Sequence, residues 1–324
     1  MSLYLVTGGA GFIGSHIAQA LIARGDRVRV LDDLSSGKTA NLAPHEVGEA
    51  GSGAPVEFVQ GEVADAAAVE RACEGVYGVF HEAAPVSVPR SIEDPEASYR
   101  TNVMGTLRVL EGARRAGAQR VVFAASSAAY GNSETLPKHE EMLPSPLSPY
   151  ASGKVAAEHL LQVWGEVHGL KTVSLRYFNV FGPRQTDDSP YTGVIALFAR
   201  ALLRGERVRI YGDGEQSRDF TYVDNVVQAN LRAMEAEVPS GRVYNVGAGD
   251  ALSINELYST MAAQLGVEQA PEYMPDRAGD VKHSLASLER IRAELGYEPN
   301  VSWREGLATT VEWYRGRFEA AAAS

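Results

Sequence analysis

The sequence predicts an α/β fold, a doubly wound parallel sheet with a smaller, discontinuous α/β substrate-binding lobe, and three observations predict it. Short β-branched runs alternate with helical patterns through the first half of the chain. Those runs are apolar on consecutive residues, as strands covered on both faces require. The rhythm then changes after Tyr177.

In order, the expected strands are residues 3–7, 28–31, 56–60, 76–81, 121–125 and 172–177. A helix over 12–24 follows the first, with Ile13, Ile17, Ala20 and Leu21 on one face and Gly25 as its stop. Beyond Tyr177 the pattern predicts a helix near 192–204 and a short strand over 208–211. An apolar run at 243–246 reads as a return to the main sheet. The expected division is therefore residues 1–177 plus that strand for one unit, with 178–324 mainly forming the other. Ser253-Ile254-Asn255-Glu256 is a capping box that opens a helix, and 303–318 is an amphipathic terminal helix. Residues 35–54 read as a turn-rich loop.

The 324 residues are 45% hydrophobic and 22% charged, the balance of a globular chain with a large core. The net charge is −11, with no basic run, which argues against nucleic acid or an anionic membrane as partner. A phosphate ester as ligand would need its charge met locally, by a few arginines and helix N-termini. Cys73 is the one cysteine, so no intrachain disulfide forms. With no basic leader and no apolar span of roughly 20 residues, the expectation is a soluble, cytoplasmic protein.

Gly8-Gly9-Ala10-Gly11-Phe12-Ile13-Gly14 follows the first strand and opens the first helix. Gly8 allows the tight turn, Gly11 lets a pyrophosphate approach the helix N-terminus, and Gly14 permits close packing of helix on strand. Asp32, about 20 residues on, stands where a carboxylate accepts both ribose hydroxyls of a dinucleotide. It would repel a 2′-phosphate, and no arginine stands beside the turn, so NAD is favoured over NADP. Asp33 and Ser36 are candidates to assist, or ordinary loop polarity. Glu62 and Val63, after the third strand, are placed to flank the adenine. The main unit is accordingly expected to be Rossmann-like.

Tyr150-Ala151-Ser152-Gly153-Lys154 begins a helix behind Pro149, which puts Tyr150 and Lys154 on one face a turn apart. A phenol, with an ordinary pKa of about 10, is a poor base at neutrality. A neighbouring ammonium and the positive nicotinamide would both favour the phenolate. Residues 121–131 read as a strand ending in hydroxyls at Ser126 and Ser127, on the edge where parallel sheets bind ligands. No Gly-x-Ser-x-Gly elbow surrounds those serines, which sets a serine hydrolase aside. His81-Glu82-Ala83-Ala84-Pro85 starts like a zinc-protease helix but has Pro85 where the second histidine belongs, so no metal is expected.

Taken together, these residues resemble an extended short-chain dehydrogenase/reductase, of the kind that epimerises nucleotide sugars at C4. The resemblance covers nearly the whole chain. It is carried by the glycine turn, Asp32, His81 to Ala84, Asn102, Ser126 to Gly131, Tyr150 to Lys154, Leu175 to Val180, and Gly212 to Asp219. It implies that Tyr150 is the acid/base, that Lys154 holds the nicotinamide ribose and lowers the Tyr150 pKa, and that Ser126 positions the sugar 4-hydroxyl. Phe12, Ile13, Ala83, Ala84, Asn102 and Tyr177 would line the NAD site. Ser87, Ser127, Asn179, Arg218, Arg277, Asp280 and Ser284 would line the UDP-sugar site.

The implied reaction removes the 4-hydroxyl proton and the C4 hydride, lets the 4-keto sugar turn, and returns the hydride to the opposite face. The family's dehydratases carry an Asp-Glu pair after the site hydroxyl, and its decarboxylating members carry a glutamate at the second position. Here Ser127 and Ala128 stand there. Ser284 falls where a tyrosine restricts some epimerases to plain hexoses. Ser87-Val88-Pro89-Arg90-Ser91 resembles the subgroup handling N-acetylated sugars. The runner-up is a UDP-uronate 4-epimerase, then another nucleotide-sugar epimerase or dehydratase; outside enzymes, the alternative is an inactive NAD-sensing relative. The resemblance also implies a homodimer through helices over 95–116 and 150–168.

Overall fold

The computed structural model describes residues 1–186, 193–276 and 282–323. The first strand, β1 (Leu3–Thr7), leads into α1 (Phe12–Ala23) and β2 (Arg27–Asp32). The stretch 35–54 holds more structure than expected, namely a 3-10 turn Thr39–Leu42 and a short strand β3 (Val47–Glu49). Then come β4 (Val56–Gln60), α2 (Ala66–Cys73), β5 (Gly78–His81), α3 (Val88–Glu93) and α4 (Pro95–Tyr99). A π-helical turn, Arg100–Gly105, joins α4 to α5 (Thr106–Arg115). After β6 (Arg120–Ser126) the long α6 (Pro149–His168) crosses over to β7 (Lys171–Tyr177).

The later elements are β8 (Asn179–Phe181), α7 (Val194–Leu203), β9 (Arg209–Tyr211), β10 (Ser217–Tyr222) and α8 (Val223–Glu235). They are followed by β11 (Arg242–Val246), β12 (Ala251–Ser253), α9 (Ile254–Leu265), β13 (Glu272–Met274), α10 (Glu289–Leu295) and α11 (Trp303–Ala323).

Eight strands form one parallel sheet in the order β11-β7-β6-β5-β1-β2-β4-β3. The order reverses at β1, which is where open α/β sheets bind ligands at their C-terminal edge. Alternation along each strand feeds two cores. Val6, Val30, Phe80 and Val122 pack with α1 and α8, whereas Leu5, Leu31, Val79, Val121 and Phe123 pack with α2, α5 and α6. Each such side chain contributes about 1.5–3 kcal/mol through burial.

A third core joins α7, α9 and α11 through Phe198, Met261, Leu307 and Tyr314, with the small sheet β12-β10-β8 beside it. Only half of the capping box forms around α9. Glu256 N donates to Ser253 Oγ, while the Glu256 carboxylate turns outward to Arg304. The chain leaving β8 is stitched back to α1, where His16 Nε2 meets the Pro183 carbonyl at 3.0 Å and Arg184 reaches Ser15 and Gln19. Since a carbonyl only accepts, Nε2 carries the proton; burial lowers this histidine to about 4, so it stays neutral. Among the described residues no helix is long and apolar enough to cross a membrane.

Candidate active site

The glycine turn closes on itself before α1 begins. Gly8 has φ of +66°, and a Cβ there would lie 2.9 Å from Ala83 N and Cα. A Cβ on Gly14 would come within 2.3 Å of Gly8 O. Both positions therefore exclude a side chain for steric reasons. Gly11 caps α1 with no side-chain hydrogen bond, so the backbone N–H groups of the first turn, Phe12 and Ile13 among them, face outward as an anion cradle.

Asp32 ends β2 beneath that turn and is 7% exposed. Its Oδ2 accepts from Ala10 N at 3.0 Å and its Oδ1 from Leu34 N at 2.8 Å, which leaves lone pairs on both oxygens for a diol. Gly37 lies so close that a Cβ would touch both oxygens at about 3 Å. Burial raises the Asp32 pKa, and the two backbone donors oppose it. Asp33 and Ser36 are exposed, and the Asp33 carboxylate accepts from Ser35 N within its own turn. Glu62 is exposed and paired with Arg100 at 2.6 Å, while Val63 packs beneath Gly105.

The C-terminal ends of β5, β6 and β7 bring the next group together. Ala83 N donates to Thr7 Oγ1, and Thr7 Oγ1 lies 2.7 Å from His81 Nδ1. On the other side His81 Nε2 is 3.0 Å from Thr106 Oγ1, which donates to Asn102 O. Thr106 has spent its proton, so His81 Nε2 is the donor there and Nδ1 accepts from Thr7. This fixes a neutral imidazole, and burial lowers its pKa to about 3. The π turn carries Asn102 inward, 1% exposed, with Nδ2 on Ser98 and Oδ1 unpartnered among the described residues. Ala84, next to Ala83 in the loop after β5, is half-buried.

Helix α6 is set by Ser148, whose Oγ accepts from Ala151 N at 3.2 Å, by Pro149 in its first turn, and by Gly169 at its end. Ser91 of α3 accepts from Tyr150 N, which ties the expected sugar segment to this helix. Ser87 caps α3 through Arg90 N. Ser126 ends β6 with its Oγ accepting from Ala128 N at 3.2 Å, and Ser127 opens the 3-10 turn that follows.

Tyr150 is 9% exposed. Burial raises its phenol above the ordinary value, and the hydrogen-bonded Ser126 hydroxyl opposes this. Lys154 is 2% exposed, donates to Ala124 O at 2.8 Å and lies over the Phe123 ring at 4.7 Å. Burial lowers this lysine to about 8, with Glu82 and Glu158 opposing. The side chains share a helix face, but the ammonium is anchored to β6 rather than to the phenol.

Sequence reasoning singled out neither Glu82 nor Asn230. Tyr177 Oη donates to Glu82 Oε1 at 3.0 Å and accepts from Asn230 Nδ2 at 2.7 Å. Burial pushes Glu82 up to about 7, against the pull of Tyr177 and Lys154. A carboxylate within a motif otherwise noted for its histidine was the available signal.

Asn179 is exposed at the start of β8, paired in register with Phe220. Arg218 Nη1 donates to the carbonyls of Ser217 and Lys282, and Ser284 N donates to Ser217 O at 3.1 Å. Arg218 and Ser284 are thus held on neighbouring segments. Arg277 and Asp280 lie outside the described residues. No group of three or more His, Cys, Asp or Glu side chains suited to a metal occurs among the described residues.

These parts fit NAD. The uncapped α1 N-terminus suits the pyrophosphate, the free lone pairs of Asp32 suit the ribose, and Oδ1 of Asn102, which packs against Gly153 of α6, offers an acceptor without a partner among the described residues. A family model described as the NAD dependent epimerase/dehydratase family matches residues 4–247. The chain is 41% identical to a UDP-glucose 4-epimerase of Mycolicibacterium smegmatis, covering 97% of this chain and 98% of that one. It superposes with TM-score 0.91 and 39% identity on a UDP-glucose 4-epimerase of Thermotoga maritima solved with UDP-glucose, covering 98% and 99%. A UDP-N-acetylglucosamine 4-epimerase of Methanobrevibacter ruminantium, solved with UDP-N-acetylmuramic acid, also gives TM-score 0.91, at 38% identity over 98% and 99%. The chain belongs to the NAD dependent epimerase/dehydratase family, whose cofactor is NAD.

Proposed function

We propose that the protein is a 4-epimerase of UDP-hexoses that accepts both UDP-Glc/UDP-Gal and UDP-GlcNAc/UDP-GalNAc. The observation that carries this is the Ser126–Tyr150–Lys154 group, followed at 127 and 128 by Ser and Ala. Elimination of water or loss of CO2 in this family uses a carboxyl group at those positions, and epimerisation does not. Glu82 does not stand at those positions: it follows β5 rather than β6, and its Oε1 accepts from the Tyr177 hydroxyl.

NAD, when bound, supplies a hydride acceptor that returns the same hydride. Tyr150 Oη takes the proton of the sugar 4-hydroxyl as the C4 hydrogen leaves with its electron pair, and gives that proton back when the 4-keto group is reduced. Ser126 Oγ holds the sugar oxygen near the phenol, and Lys154 holds the nicotinamide ribose. Residues 1–177 with the return strand make the cofactor-holding unit, and the rest, with Arg218, Arg277 and Asp280, grips the nucleotide. The working form is a homodimer.

The test is to incubate the purified protein, without added cofactor, with UDP-Glc, UDP-GlcNAc and UDP-GlcA and to analyse the products by NMR. The expected result is interconversion at C4 of the first two. Conversion of none would point to another nucleotide, such as dTDP or GDP. Ser284 supports the broader substrate range, being small and half-buried beside Ser217. Ser284→Tyr is expected to abolish the N-acetyl activity selectively; equal loss on both substrates would sink the idea.

A further inference from the structure

Lys154 is surrounded by more ionisable groups than its anchoring needs. Its own helix offers Tyr150 one turn back and Glu158 one turn on; β5, whose His81 pairs in register with the Phe123 that lies under the ammonium, offers His81 and, just beyond its end, Glu82; β7, on the other side of β6, offers Arg176 and Tyr177. Most of these carry no net charge toward the ammonium. Glu158 is engaged by Arg176 in a two-pronged pair, Nε to Oε1 at 2.9 Å and Nη2 to Oε2 at 2.8 Å, with both side chains buried. His81 is locked neutral between two threonines. Tyr177 and Tyr150 are phenols that burial keeps protonated. Glu82 remains as a carboxylate with no cationic partner in hydrogen-bond contact among the described residues, held by the Tyr177 hydroxyl, which Asn230 orients in turn.

We propose that Glu82 is the counter-charge of Lys154, a positioning residue hung from Tyr177 that keeps the ammonium cationic and so sets the alkaline limit of the Tyr150–Lys154 pair. The inference rests on the reading of that pair as the working acid/base couple. Its physical basis is Coulombic. A buried lysine loses its proton readily, and a carboxylate nearby opposes that loss without forming a direct salt bridge. The influence is mutual, so Lys154 also helps Glu82 to ionise.

Glu82→Gln keeps the shape and the Tyr177 hydrogen bond but removes the charge. The alkaline limb of kcat is expected to move down by about one pH unit, so the variant works nearly as well as wild type at about pH 6 and about ten-fold worse on the alkaline side. A uniform loss at every pH, or coincident limbs, would overturn the proposal. A second measurement needs no substrate. In the purified holoenzyme, infrared difference spectra of wild type against Glu82→Gln isolate the carboxyl stretch of Glu82 as it titrates. Lys154→Met is expected to move that titration to higher pH, and an unmoved titration would overturn the coupling. Should Glu82→Gln fail to fold, Tyr177→Phe leaves the carboxyl but removes its donor, and is expected to lower the alkaline limb by a smaller amount; no displacement would again overturn the proposal. If wild type converts no UDP-sugar, the epimerase reading fails, while the infrared titration still decides whether Glu82 and Lys154 are coupled.

Discussion

Tyr150 and Asp32 are two groups whose burial works against the charged form that the chemistry uses. For Tyr150, Ser126 opposes that burial in the polypeptide, and the positive nicotinamide ring would add to its effect. Tyr150→Phe preserves the packing and removes Oη. It is expected to lower kcat by about 10²–10⁴ with bound NAD and KM unchanged, read by steady-state kinetics and cofactor fluorescence. Asp32 has a folded pKa raised by burial, so its ionisation weighs against the fold as pH climbs above the unfolded value. Two ribose hydroxyls donating to the carboxylate favour the charged form, so NAD retention is expected to weaken as pH falls through that titration. Dialysis at a series of pH values should show this for wild type and a flattened dependence for Asp32→Asn; parallel curves would contradict it. Asp32 was legible in the sequence because its distance from the glycines is fixed by one strand–helix–strand unit. Glu82 was not, because its partner Tyr177 lies 95 residues away and only the sheet order brings them together.

Among the elements, those covered on both faces were the legible ones. The strands of the parallel sheet announce themselves as unbroken apolar runs because α1 and α8 lie over one side and α2, α5 and α6 over the other. By contrast β3 is a three-residue edge strand with no buried side chain, so no pattern marks it. The π turn at 100–105 is equally silent, since it differs from an α-helix by one extra residue in the turn rather than by composition. The same distinction governs glycine substitutions. A Cβ on Gly14 meets the backbone of Gly8 and Gly9, which cannot give way, so Gly14→Ala is expected to cost roughly 1–3 kcal/mol and to lose NAD. Gly316 lies within α11 with nothing within 4 Å of its would-be Cβ, and Gly316→Ala is expected to stabilise by about 0.5–1 kcal/mol. Melting temperatures and cofactor content of the two variants, compared side by side, check both.

At the scale of the whole molecule, α6 presents two unlike faces. Its inner face sets Tyr150, Lys154 and Glu158 against the sheet, while its outer face exposes Val163 at 47% and Val167 at 68%, one turn apart. Helix α4 and the π turn pack beside it and expose Tyr99 and Met104. Apolar side chains on adjoining helices, in a chain of net charge −11, suit a second copy of the same surface, because a two-fold interface repeats one patch on both sides. Like net charges repel at long range, so association should strengthen with added salt while a charge placed in the patch should weaken it. Replacing both Val163 and Val167 with Glu puts four carboxylates into the two-fold contact without touching the sheet-facing side of α6. Light scattering is expected to give a dimer for wild type and a monomer for the double variant, with the far-ultraviolet circular dichroism unchanged. A wild-type protein that is monomeric across a range of concentration and salt, or a double variant that keeps the wild-type mass, would show that this face is not the interface.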